Sequence, residues 1–588
     1  MMEPEERLLM PDPTNSEIAA ALDELGDLYE LDGAVIHRVL AYRSGAKAVR
    51  EAGSSVAELA RQGRATELPG IGATLQEKIL ALTEHGEIPA LVKLHSRFPA
   101  GLVQITHLEG VGPRRARRLF EELGIDSLAK LQEAAEAHSI RGLKGFGPKS
   151  EEAILKALAE FRERGPAERV PLHRALVQGE ALRDAIAALP GCERAELAGS
   201  ARRWAETVKD LDIVATASDP ARLVRAVAAL PQVHSSSTPG ENAVKLQTHS
   251  GFAVDVRIVR PDQFGNVLQH LTGSGEHNRL LREYAAPRGI HVSEYGVTLD
   301  ASGTTHHCAS EREVYALVGM DYIEPELREN RGELEAALAH QLPTLITAAD
   351  LRGDLHAHTS ASDGSATIEE MARAARDFGY EYLAITDHSA SMGFGAALSA
   401  SQLREQIEQI HALQLPGIEL LAGSEVNILP DGSLDYEDEL LAQLDWVVAS
   451  VHSSMTLDSA AMTTRVIAAI EHPYVDCIGH LSGRKLGERA PYQLDFEAIL
   501  AACRRTGTML EINSSPVRRD LNEFQARAAA AAGVGIVINS DAHRTDGFAV
   551  QRYGIATARR AWLTAEQVLN CRPWAELSQL RKRAAGAT

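Results

Sequence analysis

Gly199-Ser200-Ala201-Arg202-Arg203, followed by Lys209-Asp210-Leu211-Asp212, is the stretch on which the reading of the fold turns. The run Asp212-Ile213-Val214-Ala215-Thr216 reads as a strand. Residues two apart on a strand face one way, so Asp210 and Asp212 are expected to project from one surface. A second alternating run, Ala253-Val254-Asp255-Val256-Arg257-Ile258-Val259, brings a third carboxylate, Asp255. Three such groups suit a pair of divalent cations roughly 4 Å apart, the arrangement that activates an attacking oxygen and steadies a leaving one in phosphoryl transfer. The Gly-Ser pair with its arginines adds an amide-rich turn and a guanidinium for phosphate. A lone Asp-x-Asp is commonly a solvated turn; the flanking residues and the third aspartate favour the catalytic reading.

Upstream, from Ser16 to about Phe161, apolar residues recur at three- and four-residue spacing, which predicts helices. One motif punctuates this region three times: Leu68-Pro69-Gly70-Ile71-Gly72, Leu108-Glu109-Gly110-Val111-Gly112 and Leu143-Lys144-Gly145-Phe146-Gly147. Two glycines around one apolar residue permit a tight turn and leave amides at the next helix N-terminus free for a phosphate. A single copy would serve equally as a glycine cap between packed helices; three copies favour a resemblance to the helix-hairpin-helix, which grips the DNA backbone without reading bases. Arg114 and Arg115 follow the second copy and suit phosphate contact.

Downstream of Leu351, short apolar strands alternate with helices, which predicts a parallel α/β barrel. Asp354-Leu355-His356-Ala357-His358 opens a second constellation. It continues through Asp363, Thr386-Asp387-His388, Gly423-Ser424-Glu425, His452, His480 and Ser540-Asp541-Ala542-His543. These groups fall mostly at the C-terminal ends of predicted strands, where barrels collect their sites. Imidazole and carboxylate together suit zinc or manganese, and so many at strand ends leave little room for ordinary buried histidines.

The chain has 588 residues, too many for one hydrophobic core. Its net charge of -21 excludes a globally basic nucleic-acid binder, so DNA contact has to come from local patches, backbone amides and bound cations. Five scattered cysteines without a CxxC pair indicate neither a disulfide framework nor a cysteine zinc site. No leader or membrane span is read, and a cytoplasmic monomer is expected.

On these residues the chain resembles the family X, DNA polymerase beta-like enzymes over residues 16 to about 325, and the polymerase and histidinol phosphatase (PHP) family beyond. The resemblance implies a multidomain protein. It divides into a helical lyase-like DNA-binding domain (1–95), a helical fingers region (96–165), an α+β nucleotidyltransferase palm (166–260) and a thumb (261–328), then a charge-rich helical linker (329–350) and a distorted TIM-like α/β PHP barrel (351–588). It implies that Asp210 and Asp212 bind two Mg²⁺ or Mn²⁺ ions and that Asp255 binds the catalytic one. By the same resemblance Gly199, Ser200, Arg203, Gly273 and Asn278 would hold the dNTP, and Arg282 would touch the template. Gly70, Gly72, Gly110, Gly112, Gly145 and Gly147 would join Arg114 and Arg115 on DNA. His37, Tyr42 and Lys78 match a lyase and 5'-phosphate pocket, although Arg38 stands where a supporting lysine is usual.

In the PHP part, His356, His358, Glu425 and Asp541 would take one divalent ion (Mn²⁺, Zn²⁺ or Fe²⁺), Asp363, His388 and His543 a second, and Glu425, His452 and His480 a third. Filling of short gaps in primer-template DNA, with 3'-to-5' exonuclease or 3'-end cleaning, is the expected function. The alternative is a PHP phosphoesterase with a non-catalytic DNA-binding N-terminal half.

Overall fold

A computed structural model describes residues 12–106, 108, 111–143, 145–163, 169–391 and 397–582. It divides into two compact units: one spans residues up to Val170, Arg174–Ala198 and Val208–Leu268, the other Pro171–His173, Gly199–Thr207 and residues from Gln269 onward.

The first unit begins with helices. Asn15–Leu31 starts at a capping box in which Thr14 accepts from the Glu17 amide while the Glu17 carboxylate accepts from the Thr14 amide. Its inner face, Ile18, Leu22, Leu25 and Leu28, is fully buried in a helical core that extends to Leu158. The three glycine motifs share one turn: the amides of Ile71, Val111 and Phe146 donate to the carbonyls of Leu68, Leu108 and Leu143. The apolar residue of each is buried. Gly70 and Gly145 sit at φ of 90° and 88°, a region costly for other residues. Gly110 lies outside the described residues. Gly72 and Gly112 cap the helices Ala73–His85 and Pro113–Leu123 without any side chain on the first amides.

The rest of this unit is a five-stranded sheet with its flanking helices, the strands being β1 (Cys192–Leu197), β2 (Leu211–Ala217), β3 (Val233–Gly240), β4 (Ala243–Thr248) and β5 (Ala253–Val259). The order is β1-β2-β5-β4-β3, and only the central pair β2 and β5 is parallel.

The second unit holds a three-stranded antiparallel sheet, β6 (Ile290–Ser293), β7 (Gly296–Leu299) and β8 (Thr304–His306). The stretch expected as a linker contains one short helix, Glu333–Leu338, and is built into this core rather than solvated. Glu333 in it, and Arg328 just before it, are buried because they are paired: Glu333 with His277 at 2.9 Å and Arg328 with Glu311 at 2.6 Å.

Seven parallel strands follow in sequential order: β9 (Gly353–Ala357), β10 (Tyr382–Ile385), β11 (Glu419–Asn427), β12 (Trp446–Ser450), β13 (Cys477–Ile478), β14 (Met509–Asn513) and β15 (Ile536–Asn539). Six of them, all but β11, are buried throughout, as strands covered on both faces must be. Between them, a Thr367–Glu370 capping box starts the helix Ile368–Phe378, and Gly379 at φ 108° ends it. The Asp541 amide donates to the His356 carbonyl and the His358 amide to the Ala542 carbonyl, which joins the end of the last strand to the first and nearly closes a barrel. All five cysteines are free thiols. No helix among the described residues is long and apolar enough to cross a membrane.

Candidate functional sites

In the first unit, the parallel register sets Asp212 of β2 directly opposite Asp255 of β5, so both side chains leave the same face of the sheet. Asp210 lies outside the strand, on the bend before β2, and is exposed. Asp255 keeps one buried carboxylate oxygen without a hydrogen-bond donor, while the other is 4.0 Å from the Lys245 ammonium. An orphaned carboxylate oxygen on the strand position facing Asp212 suits a divalent cation, although the ligand atoms of Asp210, Asp212 and Asp255 are not drawn together within 4.8 Å as those of the barrel are.

Also in this unit, Arg114 and Arg115 are exposed on the first turn after Gly112, and Arg115 donates to the Gly145 carbonyl at 3.4 Å. His37 is exposed and Lys78 half-buried on separate helices. Tyr42 is buried against Tyr29, and burial pushes its phenol up to about 12.

In the second unit, Gly199, Ser200 and Arg203 occupy the short helix Gly199–Arg202 and the turn after it. Arg203 donates to the Thr272 carbonyl at 2.7 Å and to Glu329 at 3.1 Å. Gly273 and Asn278 are brought together: a Cβ on Gly273 would lie 2.3 Å from the Asn278 amide nitrogen. That nitrogen donates to the His270 carbonyl at 2.6 Å, and the Asn278 oxygen accepts from Gln269 at 2.9 Å. Arg282 is exposed on the helix Gly275–Ala285.

The barrel gathers its constellation around Glu425, which is 1% exposed at the end of β11. Its Oε2 lies 3.4 Å from His356 Nε2, 3.7 Å from His358 Nε2 and 2.9 Å from His388 Nδ1, while Oε1 lies 3.3 Å from His452 Nε2 and 2.9 Å from His480 Nε2. Asp541 stands 3.2 Å from His358 Nε2, and Asp363 stands 3.3 Å from His543 Nε2. The ligand atoms form three groups: His356, His358 and Asp541; His358, Asp363, His388 and His543; and His388, Glu425 and His452. His358 and His388 are thus shared between groups, where the family resemblance assigns each to one ion.

Buried nitrogens of His356, His358, His388 and His480 make no hydrogen bond of good geometry, although those of His388 and His358 lie 2.9 and 3.2 Å from the Glu425 and Asp541 carboxylates. Such groups are costly unless something accepts their lone pairs, and a divalent cation does. His480 and Asp541 also hold φ of 27° and 58°, strained conformations that concentrate at functional sites.

Electrostatics follow the crowding. Burial opposes a charge on His388, yet Glu425 and Asp363 push its imidazole up to about 10. Burial likewise opposes the charge on His543, which Asp363 and Asp541 push up to about 9. His480 moves the other way, to about 4, because burial and the nearby Arg518 outweigh Glu425.

Several residues here were not singled out by sequence. Glu511 of β14, fully buried, accepts from His356 Nδ1 at 2.7 Å and from the His480 amide at 2.8 Å. Asn427 accepts from His452 Nδ1 at 2.7 Å, and Asn513 donates to Asp541 at 3.1 Å. These contacts fix ring orientation and leave the opposite nitrogen facing the carboxylates. The available signal was a glutamate and an asparagine inside the apolar run Met509-Leu510-Glu511-Ile512-Asn513. Asp354, which opens the first motif, accepts from the His356 and Ser540 amides, and burial pushes it up to about 7.

Family models match four stretches. A helix-hairpin-helix domain matches residues 13–88, a SAM-like helix-hairpin-helix tandem 103–160, the DNA polymerase beta thumb 267–329, and a PHP domain 354–515. The chain is 36% identical over 571 residues to the DNA polymerase/3'-5' exonuclease PolX of Bacillus subtilis, covering 96% of this chain and 99% of that one. It is 35% identical over 234 residues to a probable phosphatase of a Thermoanaerobacter species, covering 37% of this chain and 89% of that protein. A probable phosphatase of Syntrophotalea carbinolica is 29% identical over 229 residues, or 37% of this chain and 90% of that protein.

Proposed function

The chain belongs to the family X DNA polymerases that carry a PHP domain, and from that premise we propose how its own residues divide nucleotide addition from 3'-to-5' hydrolysis. It is a DNA-directed polymerase with a metal-dependent exonuclease, and the reading of a non-catalytic N-terminal half is not favoured.

Asp210, Asp212 and Asp255 would hold two ions, Mg²⁺ or Mn²⁺, and the nine barrel ligands three, Mn²⁺, Zn²⁺ or Fe²⁺. When bound, such ions supply Lewis-acid polarisation of phosphate and a lowered pKa for water. The protein's part is orientation. The β2–β5 register fixes Asp212 beside Asp255. Ser200 and Arg203 hold the triphosphate, and Gly273 leaves the space into which the Asn278 amide is drawn beside the sugar and base. In the barrel, the carboxylate of Glu511 holds the His356 ring proton on Nδ1, and Asn427 does the same for His452. Arg518, 3.8 Å from Asp541, adds a positive edge for a phosphodiester.

The helix-hairpin-helix amides with Arg114 and Arg115 grip DNA backbone. The substrate is gapped or primer-template DNA with dNTPs in repair, including base excision repair, and the hydrolytic site supplies the free 3'-hydroxyl that addition needs. His37, Tyr42 and Lys78 serve 5'-phosphate recognition before lyase chemistry. The domain boundaries given above are kept as part of this proposal.

The observation that carries the reading is the convergence of five imidazoles on one buried glutamate, Glu425, in a chain that also carries an aspartate pair in register. Extension and 3'-degradation of one gapped substrate, compared in Mg²⁺ and Mn²⁺, tests it: both activities are expected, and absence of either overturns that half.

A further inference from the structure

The segment Gly199–Thr207 is held at Arg203, Trp204 and Glu206 by arginines of the barrel. Its short helix ends at Arg202, and a helix end leaves carbonyls without intrahelical partners. Arg560 supplies one donor: its Nη1 reaches the Arg203 carbonyl at 2.6 Å and the Glu329 carboxylate at 3.0 Å. Glu329 in turn accepts from the Arg203 side chain at 3.1 Å, so one carboxylate ties the two guanidiniums together. Arg519 supplies the next, donating to the Trp204 carbonyl at 3.1 Å. Trp204 sits at φ 56°, a left-handed conformation that persists only where surroundings impose it. Its indole meets the Tyr553 ring edge-on with centroids 5.7 Å apart. Arg484 supplies the third, pairing with the Glu206 carboxylate at 2.5 and 3.2 Å.

These arginines are built in. Exposures of 8%, 1% and 4% for Arg484, Arg519 and Arg560 withdraw these guanidiniums from water, so the bonds they do make to this segment replace hydration, although Arg484 Nε and Arg519 Nη1 find no acceptor. Arg519 also donates to Thr557 at 3.1 Å and Arg560 to Glu523 at 3.0 Å, which anchors them within the barrel. A contact that only glued two parts of a chain together would not need a buried guanidinium on each of two successive backbone carbonyls.

We propose that Arg484, Arg519 and Arg560 are positioning residues for nucleotide addition: the PHP barrel is the mount that fixes the triphosphate-holding segment, in addition to its own hydrolysis. This rests on the reading that Ser200 and Arg203 hold the triphosphate. The barrel would then act on the ground-state and transition-state complexes alike, through the shape of the turn, so the effect of loosening it falls on KM.

The test is single-nucleotide insertion by the full-length protein at varied dNTP, for wild type, Arg560→Gln, Arg560→Lys, Glu206→Gln and Arg203→Ala. Degradation of 3' ends and thermal unfolding are followed in parallel. Arg560→Gln and Glu206→Gln are expected to raise KM for dNTP about tenfold with kcat within about twofold, degradation and melting being retained. Arg560→Lys, which keeps one charged donor, recovers part of the loss. Glu206 lies on the held segment itself, so it decides the matter even if the Arg560 variants unfold. Wild-type KM in Arg560→Gln and Glu206→Gln, alongside a raised KM in Arg203→Ala, overturns the proposal while leaving the triphosphate reading intact. A KM rise matched by equal loss of degradation and of melting temperature also overturns it. Unchanged KM in Arg203→Ala removes the triphosphate reading and this inference with it.

Discussion

Glu511 accepts a hydrogen bond from His356 Nδ1 at 2.7 Å, with both side chains fully buried. The carboxylate fixes which imidazole nitrogen carries the proton and leaves Nε2 toward Glu425 and Asp541. Glu511→Gln is expected to lower divalent-metal affinity of the barrel by roughly 10- to 100-fold. Metal titration of the purified variant checks this, with primer extension as the control; wild-type affinity would remove Glu511 from the account.

Gly273 and Asn278 occupy one space. Because a Cβ at 273 would fall 2.3 Å from the Asn278 nitrogen, Gly273→Ala must displace that amide from the His270 carbonyl. Nucleotide KM is expected to rise by about tenfold or more while 3'-degradation is unchanged. Steady-state insertion kinetics decide it, and an unaltered KM would show that Asn278 does not serve the nucleotide.

Glu311 is buried between Arg202 and Arg328, at 2.7 and 2.6 Å. Burial alone would raise its pKa, but the two guanidiniums hold it at about 2, below its ordinary 4.5. A folded-state pKa below the unfolded one gives stability that is complete above about pH 4.5 and lost as pH falls toward about 2. Glu311→Gln strands the fully buried Arg328 and should destabilise by about 3–5 kcal/mol at neutral pH. Its stability should also fall less steeply across that acid range. Denaturant unfolding at several pH values checks both, and equal acid slopes would contradict the assignment.

Arg114→Ala with Arg115→Ala should weaken binding to all DNA sequences alike. Loss of two phosphate contacts reduces the salt slope by roughly 1.8 in duplex DNA. Binding measured against salt on two unrelated sequences tests this, and a loss confined to one sequence would count against it.

What the sequence made legible were groups contiguous along the chain. His356 with His358, and Asp541 with His543, announce themselves because a strand's end presents neighbours to one site. Glu511 and Asn427 escaped because their role exists only once β14 and β11 bring them to His356 and His452. The charge-rich stretch 329–350 read as a helical linker, since a sequence does not show that Glu333 finds a buried partner in His277, 56 residues away. Asp210 was expected on the strand with Asp212; it stands on the preceding bend, because the backbone turns there before β2 begins. The repeated glycine turns were legible because each is local, closed by one hydrogen bond between residues three apart.

The central claim is that one chain carries two independent metal centres, the aspartates on β2 and β5 for addition and the barrel cluster for removal. The most direct measurement follows extension and 3'-degradation of the same gapped substrate by wild type, Asp255→Ala, and His356→Ala with His358→Ala, with bound metal quantified. The account predicts that Asp255→Ala loses extension and keeps degradation, while the double histidine variant loses degradation and bound metal and keeps extension. Extension surviving in Asp255→Ala, or degradation surviving in the histidine variant, would contradict it.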